Sequence, residues 1–268
     1  MIDNVFVYKL MLSFMAGAAF SALTLYAAQR CGPKLGGVIA GLPSTTAVGL
    51  FFIGYVESPD AASVASSIVP AAVGGTLVFV MSYVKLCRGR DHLRSLLASC
   101  AIWFVIALPL TLLKMENIIL STVIFLAAWV VAYAYLKSFG REAGTGGKIA
   151  QSTREIASRS IFSGLVVASA VYASSVLGPL WGGTFAAFPA MFFSLFLVLG
   201  RSYGCEYTVS IARNTPLGLL AVAPYAWGVH FFYPAYGIIA GTLLAYLAAF
   251  TAAGLAYSLA NKASRKRG

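Results

Sequence analysis

This sequence predicts an all-α integral membrane fold of about nine transmembrane helices, arranged as two four-helix inverted repeats joined by a linker helix. Three observations predict it: the composition, the recurrence of long apolar runs, and a self-similarity at an offset of 146 residues.

Sixty per cent of the 268 residues are apolar and ten per cent are charged. A soluble domain carries roughly a quarter charged residues, so a water-facing shell cannot be assembled here. The net charge of +11 sits between apolar runs, where it reports membrane orientation and argues against a nucleic-acid partner. Met1 to Val7 has no positive n-region, so the first apolar run is expected to be retained as a span.

The apolar runs place spans at roughly 6–28, 36–56, 62–86, 95–113, 117–136, 160–177, 181–200, 207–231 and 234–260, each long enough to cross a hydrocarbon core of about 30 Å. Residues 1–113 form the first four-helix unit, 114–149 the linker helix and a Gly- and Ser-containing loop, and 150–268 the second unit with a basic tail. With nine crossings, sixteen Lys and Arg, among them Arg88, Arg94, Arg159 and Arg201, share one face, against Lys9 and Lys114 on the other. That asymmetry places the N-terminus outside and the C-terminus in the cytoplasm of a cell (inner) membrane. Cys31, Cys87 and Cys205 fall at cytoplasmic span ends, with Cys100 slightly deeper. They are expected as inert, reduced thiols, and they lack metal-ligand spacing.

The repeat is ungapped. Gly32, Pro33, Gly36 and Gly37 align with Gly178, Pro179, Gly182 and Gly183, and Ala40, Pro43, Gly54 and Pro70 with Ala186, Pro189, Gly200 and Pro216. Ala22, Tyr26 and Ala27 meet Ala168, Tyr172 and Ala173, making eleven identities. A unit of four spans plus one unmatched span makes the second copy enter from the opposite face, as in many secondary transporters. The motif Gly-Pro-x-x-Gly-Gly-x-x-Ala-Gly-x-Pro at 32–43 resembles the GlpM-like bacterial inner-membrane proteins, four-span chains of unknown function. The resemblance implies two such units fused through an extra helix, and no activity. The second copy departs from it with Ala187 where the first has Gly41.

Pro43 and Pro189 lie eight or nine residues into spans two and seven, and Pro70 and Pro216 about nine into spans three and eight. Proline removes a backbone donor and clashes with the preceding turn, and such breaks survive at membrane depth only where protein or a wet cavity satisfies the freed groups. Four breaks near one depth predict a central site. Ser44, Thr45 and Thr46 follow Pro43, and hydroxyls at a restarting helix N-terminus favour an anion or carboxylate. Back-bonding to their own helix is the plainer alternative. Ala190, Met191 and Phe192 take the corresponding positions, so a polar site would be lopsided. The glycines equally suit close helix packing. Arg213, beside Asn214, is the strongly charged residue expected inside a span, either functional or snorkelling toward Glu206.

All eight carboxylates fall at span ends or in loops, and so do His92 and His230, which leaves no proton relay in view. No H-E-x-x-H motif occurs. Gly144 to Lys148 fails as a phosphate loop because Glu142 and Ile149 replace required residues. Ser152 and Glu155 read as a capping box. The expectation is a chain that is not an enzyme and uses no cofactor or metal: a small-solute transporter or facilitator with a midplane site. A non-transporting membrane scaffold is the alternative, and lipid handling a third reading. The bilayer and a small-molecule solute are the expected partners, and Gly-rich faces leave room for a homo-oligomer.

Overall fold

A computed structural model describes residues 4–30, 42–139 and 152–265. The described residues are helical, without strands: α1 (Asn4–Arg30), α2 (Ser44–Val56), α3 (Pro59–Leu86), α4 (His92–Leu112), α5 (Ile118–Ser138), α6 (Thr153–Leu177), α7 (Pro179–Ala186), α8 (Ala190–Ala212), α9 (Thr215–Leu219) and α10 (Val222–Arg265). Seven stretches are long and apolar enough to cross a membrane, including Pro179–Ala212 and Thr215–Leu255, which each contain backbone breaks. The outer faces fit a hydrocarbon solvent: Ile119, Val123 and Val130 on α5 and Ile239, Leu243 and Leu247 on α10 are all more than half exposed.

Local sequence sets the helix starts. Ser58 caps α3 ahead of Pro59, Asp91 caps α4, and Asn117 accepts from the amides of Ile119 and Leu120 at the start of α5. Ser152 and Glu155 form the expected capping box on α6. Helix α3 occupies the centre, buried from Ala65 through Leu77 and packed on α4, α5, α7 and α10. Its Ala, Ser and Gly residues allow neighbours this close. A Cβ on Gly74 would stand 3.4 Å from Phe125 Cα.

Contacts recur across the 146 offset. Gly17 approaches Val167 on α6, and Ser21 donates to Ser163 Oγ at 2.9 Å. Ser163 and Val167 are the counterparts of Gly17 and Ser21, so each residue meets the counterpart of the other. Because Ser21 lies one turn after Gly17 while Ser163 lies one turn before Val167, α1 and α6 run antiparallel where they touch. Gly54 and Gly200 behave alike: Gly54 faces Ile238 and Gly200 faces His92, and Ile238 is the counterpart of His92. Helix α5, which has no counterpart, touches both copies. Ser121 Oγ accepts the amide of Ala71 beside Pro70 at 2.9 Å, and Trp129 Nε1 donates to Pro216 O at 2.7 Å.

Several expectations need correction. Pro70 does not break its helix, because α3 runs unbroken through it and Ser121 satisfies the next amide. The histidines are not in exposed loops: His92 opens α4 against Tyr83 and α8, and His230 lies within α10 against Ser63. Arg159, counted among the basic residues of one face, is not exposed but 2% accessible within the protein, donating from Nε to Ser194 Oγ at 3.2 Å. Cys87 and Cys205 are joined in a disulfide, with Cα atoms 5.7 Å apart, where reduced thiols were expected. Gly32, Pro33, Gly36 and Gly37 lie outside the described residues. In the second copy, Gly178 ends α6 at φ 104°, Pro179 opens α7, and a Cβ on Gly183 would lie 2.0 Å from Ala65 O. That half of the motif serves helix packing.

Candidate functional site: a cavity between two proline turns

Pro43 and Pro189 adopt nearly the same backbone, at φ/ψ of −72°/58° and −73°/48°. These are inverse γ-turn values, and each turn is closed by a 2.7 Å bond across the proline, from Ser44 N to Leu42 O and from Ala190 N to Phe188 O. Helices α2 and α8 start immediately afterwards. The expected backbone break at Pro189 is therefore present between α7 and α8. At Pro43 the restart of the helix is described, and the residues before Leu42 are not.

A break between α7 and α8 frees carbonyls that a continuous helix would have satisfied. Phe185 O accepts from Phe188 N at 3.1 Å. Ala186 O accepts from Thr46 Oγ1 at 3.0 Å, and Ala187 O from Thr76 Oγ1 at 3.3 Å. Two hydroxyls of the first copy thus complete the backbone of the second. Neither bonds back to its own helix in these contacts.

Between the turns lies a cavity of about 30 Å³, room for a water molecule or two. Its walls are made of counterparts: Leu42 and Phe188, Pro43 and Pro189, Ser44 and Ala190, Thr45 and Met191, Thr46 and Phe192, Val73 and Leu219, Thr76 and Val222. The remaining lining residue is Ala187, whose counterpart Gly41 lies outside the described residues. In each pair that differs in polarity, the hydroxyl belongs to the first copy. Ser44 Oγ is buried there with no hydrogen-bond partner among the described residues. The first-turn amides of α2 and α8, at Thr45, Thr46, Met191 and Phe192, lack acceptors within their own helices, as at any helix start. Two positive helix ends thus border one small space.

The other expected site residues lie elsewhere. Pro70 and Pro216 flank α5 and do not line the cavity, although Val73 and Leu219, three residues on, do. Arg213 and Asn214 form the turn between α8 and α9, their amides bonding Val209 O and Ile211 O. Arg159 went unrecognised as a buried cation. It is linked to the cavity wall through Ser194, whose Oγ donates to Met191 O at 3.2 Å. Its position seven residues into α6, beyond the Ser152 cap, was the available signal.

No family model, curated protein or solved structure matches this chain.

Proposed function

We propose that the chain is a small-solute transporter or facilitator whose site is the cavity between the Pro43 and Pro189 turns, with an anionic or neutral solute. In this reading the protein crosses the membrane nine times, as two inverted four-helix repeats around α5, with the N-terminus outside, and it performs no enzymatic chemistry. The observation that carries it is the pairing of the cavity walls across the 146 offset, because a midplane site shared by two inverted repeats must be lined by counterparts. The reciprocal contacts of Gly17 with Val167 and Ser21 with Ser163 support an axis between antiparallel α1 and α6. Two helix N-termini and a Ser44 hydroxyl without a partner among the described residues favour an anion or a carboxylate.

A scaffold remains the second reading, favoured by the cavity's small volume of about 30 Å³ and by the tight packing at Gly183. Flux of nitrate, acetate, phosphate, glycerol and urea into proteoliposomes separates the two. Transport by the wild type, reduced about ten- to a hundredfold in apparent affinity by Ser44→Ala, is expected if a hydrogen bond to a charged solute worth about 1.5–3 kcal/mol is lost. No flux of any of these solutes by folded wild type favours the scaffold. Labelling of single cysteines should place 88–94 and 138–158 on one face and 57–61 and 114–117 on the other. Residues 88–94 and 138–158 on opposite faces would end the inverted-repeat reading.

A further inference from the structure

The two copies are held together differently at the two ends of α3. Near its start, Ser63 Oγ donates to His230 O at 2.7 Å and His230 Nδ1 lies 3.0 Å from Ser63 O. Twenty residues later, about 30 Å along a helix, Tyr83 bonds His92 at 2.5 Å and His92 Nε2 faces Leu197 O at 3.3 Å. At that end Cys87 is also bonded to Cys205, and the next residues, Arg88 and Glu206, form a two-pronged ion pair with both contacts at 3.1 Å. Val73, in the cavity wall, lies midway between Ser63 and Tyr83. One end of α3 is tied to its neighbour by hydrogen bonds, the other by a covalent bond as well.

The geometry points to Cys87–Cys205 as a redox latch on one mouth of the cavity, an inference that rests on the transport reading and on its membrane orientation. Oxidised, the latch ties the turn between α3 and α4 to α8; reduced, it lets them separate. Directly before Cys205 the helix is interrupted at Gly204, with φ 79° and ψ −179°, so the segment carrying Cys205 is already offset from the helix before it. Arg88, Arg90, Arg94 and Arg201 lie within seven residues of Cys87 or Cys205 in sequence, on the face that the basic asymmetry assigns to the cytoplasm. Disulfides there are characteristically transient or redox-sensing.

The chemistry is thiol–disulfide exchange with a dithiol reductant. A thiolate of the reductant attacks Sγ of Cys205, the more exposed of the two residues, since Cys87 is only 7% exposed. The Cys87–Cys205 bond breaks, a mixed disulfide forms on Cys205, and Cys87 leaves as a thiolate that takes up a proton. The second reductant thiol then displaces Cys205, which is protonated in turn. Two electrons and two protons pass to the protein, and the dithiol becomes a disulfide.

The test uses the full chain in lipid nanodiscs, oxidised or treated with dithiothreitol, read by maleimide mass labelling and amide hydrogen exchange. Cys87 and Cys205 should resist labelling until reduction. Amides in 84–92 and 201–210 should then exchange at least about tenfold faster, with 60–66 and 226–232 unchanged. The Cys87→Ser, Cys205→Ser double variant should match the reduced protein without reductant, and unchanged exchange at 226–232 shows that it has folded. Labelling of both cysteines in the oxidised protein overturns the latch. So does unchanged exchange at 201–210 on reduction, or a rise at 60–66 as well, which marks a general staple. A failure of the transport reading registers as absent flux and leaves these exchange results standing.

Discussion

The turns at Pro43 and Pro189 have the same backbone and opposite chemistry. Both close with a 2.7 Å bond across the proline and both start a helix. The first is followed by Ser44, Thr45 and Thr46, and the second by Ala190, Met191 and Phe192. Backbone geometry at these buried turns is constrained because each freed amide and carbonyl must find a hydrogen-bond partner. Side chains that merely line the space are free to diverge. The hydroxyls of Ser44, Thr46 and Thr76 fall into two separate roles. Thr46 and Thr76 complete the α7–α8 break of the other copy, and Ser44 is left facing the cavity.

The largest expected departure from equivalence lies at the paired glycines Gly54 and Gly200. A Cβ on Gly200 would fall 1.8 Å from the His92 ring, whereas on Gly54 it would fall 2.8 Å from a methyl of Ile238. The isoleucine can turn, but His92 is held on both sides by Tyr83 and Leu197 O. Gly200→Ala should therefore destabilise by about 2–4 kcal/mol through overpacking and broken hydrogen bonds, and Gly54→Ala by about 1 kcal/mol or less. Reversible unfolding in mixed micelles measures both. Equal costs would mean that the two positions are equivalent in environment as well as in register.

A smaller effect probes the hydroxyls that cross between copies. Thr46→Val keeps the shape but leaves Ala186 O buried without its donor, at a cost of about 1–3 kcal/mol. In a Pro189→Ala background the helix can close, and residue 190 can offer its own amide to Ala186 O. The cost of Thr46→Val should then fall by about 1 kcal/mol or more. Additive costs in that double-mutant cycle would sever Thr46 from the break.

The same contrast marks what the sequence could disclose. Proline acts on its own backbone, so the turns, their register and the lopsided polarity of the walls were legible from Pro43, Pro189 and their neighbours. Pro70 was misjudged because its rescue comes from Ser121, fifty residues away, on a helix outside the repeat. Arg159, His92 and His230 were placed at membrane surfaces because charged and imidazole side chains ordinarily reside there. Their actual surroundings, Ser194, Leu197 O and Ser63, are supplied by distant segments. The Cys87–Cys205 pairing likewise joins residues 118 apart in sequence, with no local spacing to announce it.

The smallest expected change, and the sharpest test of the two walls, is to move a hydroxyl from one to the other. Ser44→Ala removes a buried hydroxyl that has no partner among the described residues, so stability should hold or rise by up to about 1 kcal/mol. Ala190→Ser adds one at the counterpart position, which is fully buried. If the cavity of about 30 Å³ holds water, that hydroxyl is solvated and its cost stays below about 0.5 kcal/mol; in a dry space it approaches about 1–3 kcal/mol. Thermal unfolding in a single detergent resolves the difference. The double variant returns a hydroxyl to the same space from the opposite side. Flux lost in Ser44→Ala and regained in the double variant would show that the solute needs a hydroxyl between two helix N-termini and is indifferent to which copy supplies it. Flux that stays lost would assign recognition to the first copy's wall alone, making the shared backbone a frame around a one-sided site.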